Sequence, residues 1–391
     1  MGDAIDISIL ITGDYCPIGR NKNIIDSNDY ASLFGGFEKH TRAADLSITN
    51  LECPILESQG NKIAKSGPSI MATEKALHAL TFAGFNLVTL ANNHIMDYGP
   101  EGLKATMRAC RQNGLDHVGA GRNLEEAQLP YVSSIRGKKV AFLNIAENEF
   151  CTTKGPEYGA NPLNPISNHY QIKHAKSVAD HVVVISHGGR EHYPYPTPQL
   201  RERFRFFIDS GADLVVGHHT HCVSGMEQYQ GKPIFYSLGN FIFDYKKKYQ
   251  KGAWTQGIGV LFNFAGSHIS YEVIPFHQGR EKTSQLTLFN KKERILFLKK
   301  FHELSEVIIS DDLFFQKWND YIFSQKKTYS SLLMIQNRYV RELISRGWIP
   351  PMYFHSRKHR NVLLNLLRCE THREIMVDVL ENDMRKASPA R

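Results

Sequence analysis

The run Asp213-Leu214-Val215-Val216-Gly217-His218-His219-Thr220-His221 carries more structural information than any other part of the chain. Asp213–Val216 suits a buried strand, and it leads directly into a loop bearing three imidazoles. His219 and His221 stand at i and i+2, a spacing that lets two rings reach neighbouring positions around a metal. Working outward, the same arrangement returns four times. Ile5–Thr12 ends in Gly13-Asp14, and Asp45–Thr49 ends in Asn50-Leu51-Glu52. Asn86–Leu90 ends in Ala91-Asn92-Asn93-His94, and His181–Ser186 ends in His187-Gly188-Gly189. Several of these strands are apolar throughout, as in a sheet covered on both faces. In layered α/β proteins the ligand crevice lies beyond the carboxyl ends of the strands. Taken singly, a Gly-Asp after a strand is usually a turn, and a lone His187 is more often hydrogen-bonded structure than ligand. Five such sets in one structural place make a cage of oxygen and nitrogen donors. That donor set suits divalent Mn, Fe or Zn, not a thiolate zinc site.

Lys139–Ile145 and Pro233–Leu238 read as further strands, and Gly257–Phe264 with His268–Ile274 as a closing hairpin. Helical patterns fall between the strands, for example Thr73–Ala83, Pro100–Asn113 and Pro198–Ser210. Strand–helix alternation points to α/β layers. After about residue 285 the pattern changes. Phe297, Phe301, Leu304 and Ile308 share one helical face. Ser310, Asp311 and Asp312 open a second helix that carries Leu313, Phe314, Trp318, Tyr321 and Ile322. Leu332 to Leu343 and, beyond the Pro350-Pro351 break, Asn361 to Leu380 suit two more. The expected organisation is an α/β domain over residues 1–280 and a basic helical module over 281–391.

Composition narrows the function classes. The chain has 391 residues, 42% hydrophobic and 22% charged, which suits a globular protein and excludes a disordered or collagen-like one. No apolar run approaches the roughly 20 residues a membrane span needs. Met1 to Thr12 carries Asp3 and Asp6 and no basic residue, unlike a secretion signal. Cys16, Cys53, Cys110, Cys151, Cys222 and Cys369 form no CxxC pair, which suits a reducing compartment, and a cytoplasmic location is expected. Residues 281–391 hold 20 Lys+Arg against 13 Asp+Glu, most of the chain's net charge of +8. Such an excess attracts polyanions or simply solvates helix surfaces. Nothing marks a specific nucleic-acid reader, and Lys246-Lys247-Lys248 reads as a solvated charge run.

In order along the chain stand Gly13-Asp14 with Arg20, Asn50-Leu51-Glu52, Asn92-Asn93-His94-Ile95-Met96-Asp97-Tyr98-Gly99, His187-Gly188-Gly189-Arg190-Glu191, Gly217-His218-His219-Thr220-His221 and Tyr236-Ser237-Leu238-Gly239-Asn240-Phe241-Ile242-Phe243-Asp244. Over roughly residues 5–275 this set resembles the CapA, or poly-γ-glutamate capsule synthesis, family, which is similar to the calcineurin-like metallophosphoesterases. The resemblance implies a four-layer α-β-β-α metallophosphoesterase-like sandwich with an all-α C-terminal appendage, and two divalent metal ions at one edge. It implies Asp14 and His221 as ligands of the first metal, Glu52 as the bridge, and Asn93, His187 and His219 as ligands of the second. His94 takes the place of the proton donor, with Asp97 to orient it. Arg20 and Arg190 become candidates for holding an anionic substrate, because a planar guanidinium clamps phosphate or carboxylate. Asn50, Asn92, His218 and Asn240 are candidates to line the substrate site. Two departures stand out. The usual Asp-x-His reads Asp14-Tyr15-Cys16 here, and Glu52 replaces the bridging Asp. The first metal therefore loses a ligand, and Cys16 is expected to pack as a small residue. The implied function is metal-dependent hydrolysis of phosphoester bonds in capsule or anionic-polymer biosynthesis, acting on an anionic small molecule or polymer. The alternatives are amide or acyl hydrolysis in the same pathway, or a non-catalytic polyanion-binding assembly module.

Overall fold

The computed structural model describes residues 6–65, 67–334 and 337–350, with backbone alone for 325–334. The stretch expected as the last helix, Asn361 to Leu380, lies outside the described residues.

Two sheets face each other. In the first, β1 (Ile7–Tyr15), β2 (Leu46–Leu51) and β3 (Leu87–Thr89) run parallel. In the second, β4 (Lys138–Ala146), β5 (His181–His187) and β6 (Leu214–His218) do the same. On the flank of β1 away from β2, the short strand β7 (Asn240–Ile242) pairs with the end of β1, and β8 (Gln256–Ala265) pairs with the rest of it as half of an antiparallel hairpin with β9 (His268–His277). The expected hairpin is therefore present.

Side-chain alternation along the strands builds the layers, because successive residues point to opposite faces. Ile7, Ile9 and Ile11 of β1 meet Val183 and Ile185 of β5 and Leu214 and Val216 of β6 in a core between the sheets. Leu10, on the opposite face of β1, packs with α1 (Lys75–Ala83) through Leu77 and Leu80, and with α2 (Gly99–Gln112) through Leu103 and Met107. On the far side, Val182, Val184 and Val215 meet Ile172 and Ala175 of α3 (Pro165–Val178) and Phe204 and Phe207 of α4 (Pro198–Asp209). The result is the four-layer α-β-β-α sandwich.

The helices start where local chemistry stops the backbone from continuing as strand. Asn164 caps α3 through its side chain, and Thr197 caps α4; in both, proline opens the helix. Asn290 and Glu293 form a reciprocal capping box at the head of α5 (Lys291–Ile309). Phe297 and Phe301 of α5 enter the core between the sheets, and Ile308 enters the outer core. Arg201 of α4 clasps the end of α5. It donates to the Ile308 carbonyl at 2.9 Å, pairs with Asp311 at 2.7 Å, and lies 3.9 Å above the Phe314 ring. The chain divides into two compact units, Met1–Gln316 and Lys317–Arg391, and residues 281–316 lie within the first. The second unit holds the remainder of the helix Asp311–Met334, followed by the helix Arg338–Ser345.

Several strands run further than their apolar runs indicate. β1 continues through Gly13 and Asp14 to Tyr15, β2 through Asn50 to Leu51, β5 to His187, and β6 through Gly217 to His218. Polar ends stay in the ladder because they are paired on both sides. Asp14 sits opposite Asn50 on one flank and Asn240 on the other. Gly13 makes this possible: a Cβ there would lie 1.8 Å from the Gly239 carbonyl oxygen. The strands Tyr131–Ile135 and Met226–Tyr229, which the sequence reading does not include, form the two edges of the second sheet.

Asp213 locks the start of β6. One carboxylate oxygen accepts from Lys176 at 2.7 Å and from the Val182 N–H at 2.9 Å; the other accepts from Lys232 at 2.9 Å. Burial pushes its pKa up, but these hydrogen bonds outweigh burial and hold it below 3.8. A lowered carboxylate pKa stabilises the fold above the unfolded-state value and loses that contribution as pH falls through the folded one. Asp213→Ala is therefore expected to lower stability by about 1–3 kcal/mol at pH 7. In urea melts across pH, the gap from wild type should close only below about pH 4.

Candidate metal centre

The carboxyl ends of both parallel strand sets meet at one edge, and the polar side chains gather there. Asp14, Asn50, Glu52, Asn92, His187, His219, His221 and Asn240 are all buried. Asp14 accepts from Asn50 Nδ2 at 2.7 Å and from the His219 backbone N–H at 3.2 Å. Glu52 is fully buried, yet among the described residues neither of its oxygens has a hydrogen-bond partner. Its Oε1 lies 3.5 Å from His187 Nε2 and 3.9 Å from His221 Nε2.

Two overlapping donor groups result. In one, a ligand atom from each of Glu52, His187 and His219 falls within 4.8 Å of the others; in the other, the same holds for Asp14, Glu52 and His221. Glu52 belongs to both. Asn93 joins the first of these groups through Oδ1, 3.1 Å from His187 Nε2. His187 Nε2 is also 3.1 Å from His219 Nδ1. Nitrogens about 2 Å from a shared ion are separated by about this distance.

The electrostatics fit a cation. Burial pushes Asp14 up to about 7, and burial together with Asp14 pushes Glu52 well above the usual carboxylate range. Burial and neighbouring imidazoles hold His187 and His221 well below the usual imidazole range. Burial lowers His219 to about 3 and His218 to about 4. Neutral imidazoles offer lone pairs, and two buried carboxylates with an orphaned pair of oxygens call for positive charge. The residues present therefore fit one or two divalent ions.

Surrounding groups hold the donors in place. The imidazole loop turns inward through left-handed backbone at His219 and His221, with φ of 92° and 56°, a conformation non-glycine residues seldom adopt. His221 Nδ1 lies 2.9 Å from Asn240 Oδ1, while Asn240 Nδ2 donates to the Trp254 carbonyl; this fixes the carboxamide and leaves His221 Nε2 toward Glu52. Asn50 is a hub. Its Oδ1 accepts from Thr89 and Asn92, and its Nδ2 reaches Asp14 and lies 3.2 Å from His187 Nδ1. His94 Nδ1 is 2.7 Å from Asp97 Oδ2, and its backbone N–H is fixed on Asn92 Oδ1 at 3.1 Å.

The remaining sequence candidates lie apart from the donor groups. Arg20 stacks its hydrogen bonds on Asp244, 2.7 and 2.9 Å from the two carboxylate oxygens, and on the Arg280 and Glu281 carbonyls. It fastens the end of the Tyr236–Asp244 motif. Arg190 is half-buried, and its charge helps to depress His219. His218 is buried toward Thr12 of β1 and enters neither group. Cys16 packs in the core with Cys53 and enters neither group.

Two residues escaped the sequence reading. Lys65, its side chain only 4% exposed, pairs with Asp97, donates to the Asn93 carbonyl at 3.0 Å and stands 3.3 Å from His94 Nδ1. Nothing in the loop around it signals this. Glu149, its side chain 40% exposed, lies 4.0 Å from His219 Nε2. A signal for it existed: β4 also ends in acidic and carboxamide residues, Glu147-Asn148-Glu149.

A family model described as "Bacterial capsule synthesis protein PGA_cap" matches residues 8–245. The "Capsule biosynthesis protein CapA" of Bacillus anthracis is 33% identical over 249 residues, covering 61% of this chain and 60% of that protein. The "PGA biosynthesis protein CapA" of Bacillus subtilis (strain 168) is 36% identical over 245 residues, covering 61% and 63%. The chain thus spans about three fifths of the length of these relatives. A hypothetical protein from Thermus thermophilus aligns in structure with a TM-score of 0.43 and 15% identity, covering 69% of this chain and 99% of that one. Chaetomium thermophilum Vps29 aligns with a TM-score of 0.28 and 11% identity, covering 72% and 96%. With the family match extending over more than half its length, the chain belongs to the bacterial capsule synthesis PGA_cap family.

Proposed function

We propose that this protein is a metal-dependent hydrolase of phosphoester bonds that serves the synthesis of an anionic capsule-type polymer. The observation that carries the proposal is Glu52, buried, without a hydrogen bond to either oxygen, and common to two donor groups. Asp14, Glu52 and His221 would hold one cation; Glu52, Asn93, His187 and His219 would hold the other. When bound, two such ions supply Lewis acidity toward a phosphoryl oxygen and toward water.

This chain's own residues supply the rest. His94 follows Asn93 in the chain, and its ring is near enough to His187, His219 and His221 to act on them electrostatically. Asp97 engages Nδ1 and leaves Nε2 as the nitrogen to hand a proton to the leaving oxygen. The Ile70 N–H at 2.8 Å and Lys65 both bind Asp97, which keeps that carboxylate in place behind the ring. Arg190 adds positive potential on the side of His219, favouring an anionic substrate. Asn50, Asn92 and Asn240 act as struts for the donors, and Arg20 supports the loop rather than the substrate.

The family description and the CapA relatives support a place in capsule or PGA biosynthesis, and the phosphoester reading assigns a phosphorylated precursor of the polymer as substrate. Among the described residues no helix is long and apolar enough to cross a membrane. The five described cysteines are free and buried, which suits the cytoplasm.

Glu52→Gln is expected to lower metal content at both positions, since one side chain serves two groups. Mass spectrometry of metal per chain checks this; wild-type content in the variant would remove Glu52 as the bridge. For His94→Ala, turnover of a phosphoester such as bis(p-nitrophenyl) phosphate should fall by about 10²–10⁴. Its metal content should stay at the wild-type level. Full activity in that variant would sink the acid role. Mn²⁺ at about 100 times its Kd should stabilise the folded protein by about 2.7 kcal/mol in a thermal melt. An unchanged melting temperature for metal-free protein in millimolar Mn²⁺, Fe²⁺ and Zn²⁺ would refute the hydrolase.

A further inference from the structure

We infer that Lys65 is a positioning residue for the reaction: it fixes the acid His94 relative to the second donor group by gripping the peptide unit that joins Asn93 to His94. The inference rests on the hydrolase reading above.

That peptide unit links a residue of the second donor group to the proton donor. A peptide is planar, so holding it at its carbonyl and at its N–H sets the directions in which both flanking side chains leave the backbone. The N–H end is held by Asn92, whose Oδ1 accepts from the His94 N–H at 3.1 Å. The carbonyl end is held by Lys65, whose ammonium donates to the Asn93 carbonyl at 3.0 Å. The same ammonium donates to Asp97 Oδ1, while Asp97 Oδ2 lies 2.7 Å from His94 Nδ1. Lys65 therefore closes a circuit that runs from the peptide through the imidazole and the carboxylate back to the peptide. The circuit fixes both the backbone from which His94 springs and the rotation of its ring. An ammonium suits this place, because it has three donors and no acceptor and both of its partners are oxygens. With the Lys65 side chain 4% exposed and that of Asp97 fully buried, these charge-assisted bonds hold more firmly than they would in water.

Lys65 is delivered by the loop between β2 and α1. The ends of that loop are tied to each other: the Leu56 N–H donates to the Ala72 carbonyl at 2.9 Å, and the Ala72 N–H to the Pro54 carbonyl at 3.1 Å. Its interior is tied to Asp97. The Ile63 N–H donates to the Asp97 carbonyl at 3.1 Å, and the Ile70 N–H to Oδ2 at 2.8 Å. Three donors of one loop thus converge on the residue that orients the acid. Truncating Lys65 would free the carbonyl end of the peptide and one oxygen of Asp97, while removing no donor from either metal group.

The test is a double-mutant cycle on Mn²⁺-loaded full-length protein with bis(p-nitrophenyl) phosphate as substrate. It compares wild type, Lys65→Met, His94→Ala and the double variant, with circular dichroism and metal per chain measured for each. Lys65→Met should keep wild-type metal content and lower kcat about 10²-fold, the effect of a misplacement of about 1 Å, with KM little changed. In the His94→Ala background the same substitution should cost nothing further, because the group it positions is gone. A lysine that merely supported the fold would cost as much in either background. If Lys65→Met fails to fold, Lys65→Arg, which keeps a cation beside Asp97, carries the same cycle. Full activity in the variant that folds, an equal loss in both backgrounds, or loss of metal would overturn the inference and leave the hydrolase standing. A wild type that turns over no phosphoester would overturn the hydrolase reading, and this inference with it.

Discussion

A carboxylate removed from water with neither oxygen hydrogen-bonded is among the most costly arrangements a fold can hold. Glu52 faces that cost: burial and the nearby Asp14 push its pKa well above the usual carboxylate range, and it lies a few ångströms from three imidazoles that burial keeps neutral. Much of the edge can be understood as a means of keeping this cluster assembled. The register of β1 against β2 and β7, the absence of a side chain at Gly13, the left-handed turns at His219 and His221, and the carboxamides of Asn50 and Asn240 all serve it. Left-handed backbone at His219 and His221 beside the unsatisfied oxygens of Glu52 is the kind of local strain that functional sites hold.

The fold was legible because its strands are strongly apolar and its helices carry proline and asparagine or threonine at their starts. Candidates for the centre were legible because one rule, polar residues at the carboxyl ends of buried strands, picked out Asp14, Glu52, Asn93, His187, His219 and His221 together. That rule covers position along the chain but not side-chain partnership. Arg20 and Asp244 are 224 residues apart, and no local pattern pairs them. Lys65 reaches Asp97 from a loop with no periodicity. Glu147-Asn148-Glu149 after β4 obeys the same rule, but such residues are common at any turn. Where strands end was also underestimated, since a run of apolar residues stops before the ladder does when polar residues such as Asp14 are paired on both flanks.

Arg20 is instructive in another way. An arginine shortly after the first motif invites a role in anion binding, because its fork matches a phosphate. Here that fork is filled by a carboxylate and two carbonyls of the protein itself. Positive potential near the donors comes instead from Arg190 and Lys65, groups whose place is set by the loops beyond β5 and β2. The chemistry of the cleft edge is thus decided by connections between strands, while the strands supply the fixed frame.

The division of donors between the sheets has a mechanical meaning. Asp14, Glu52 and Asn93 belong to the first sheet and its loops; His187, His219 and His221 belong to the second. Each donor group draws on both. A divalent ion in either would act as a rivet, closing a loop of about 200 residues between Asp14 and the imidazole loop. Like a long-range cross-link, it would remove freedom chiefly from the unfolded chain, where such a closure is improbable. The two halves of the sandwich, joined along that seam chiefly by hydrophobic contact, would then come apart only together with the loss of the ion.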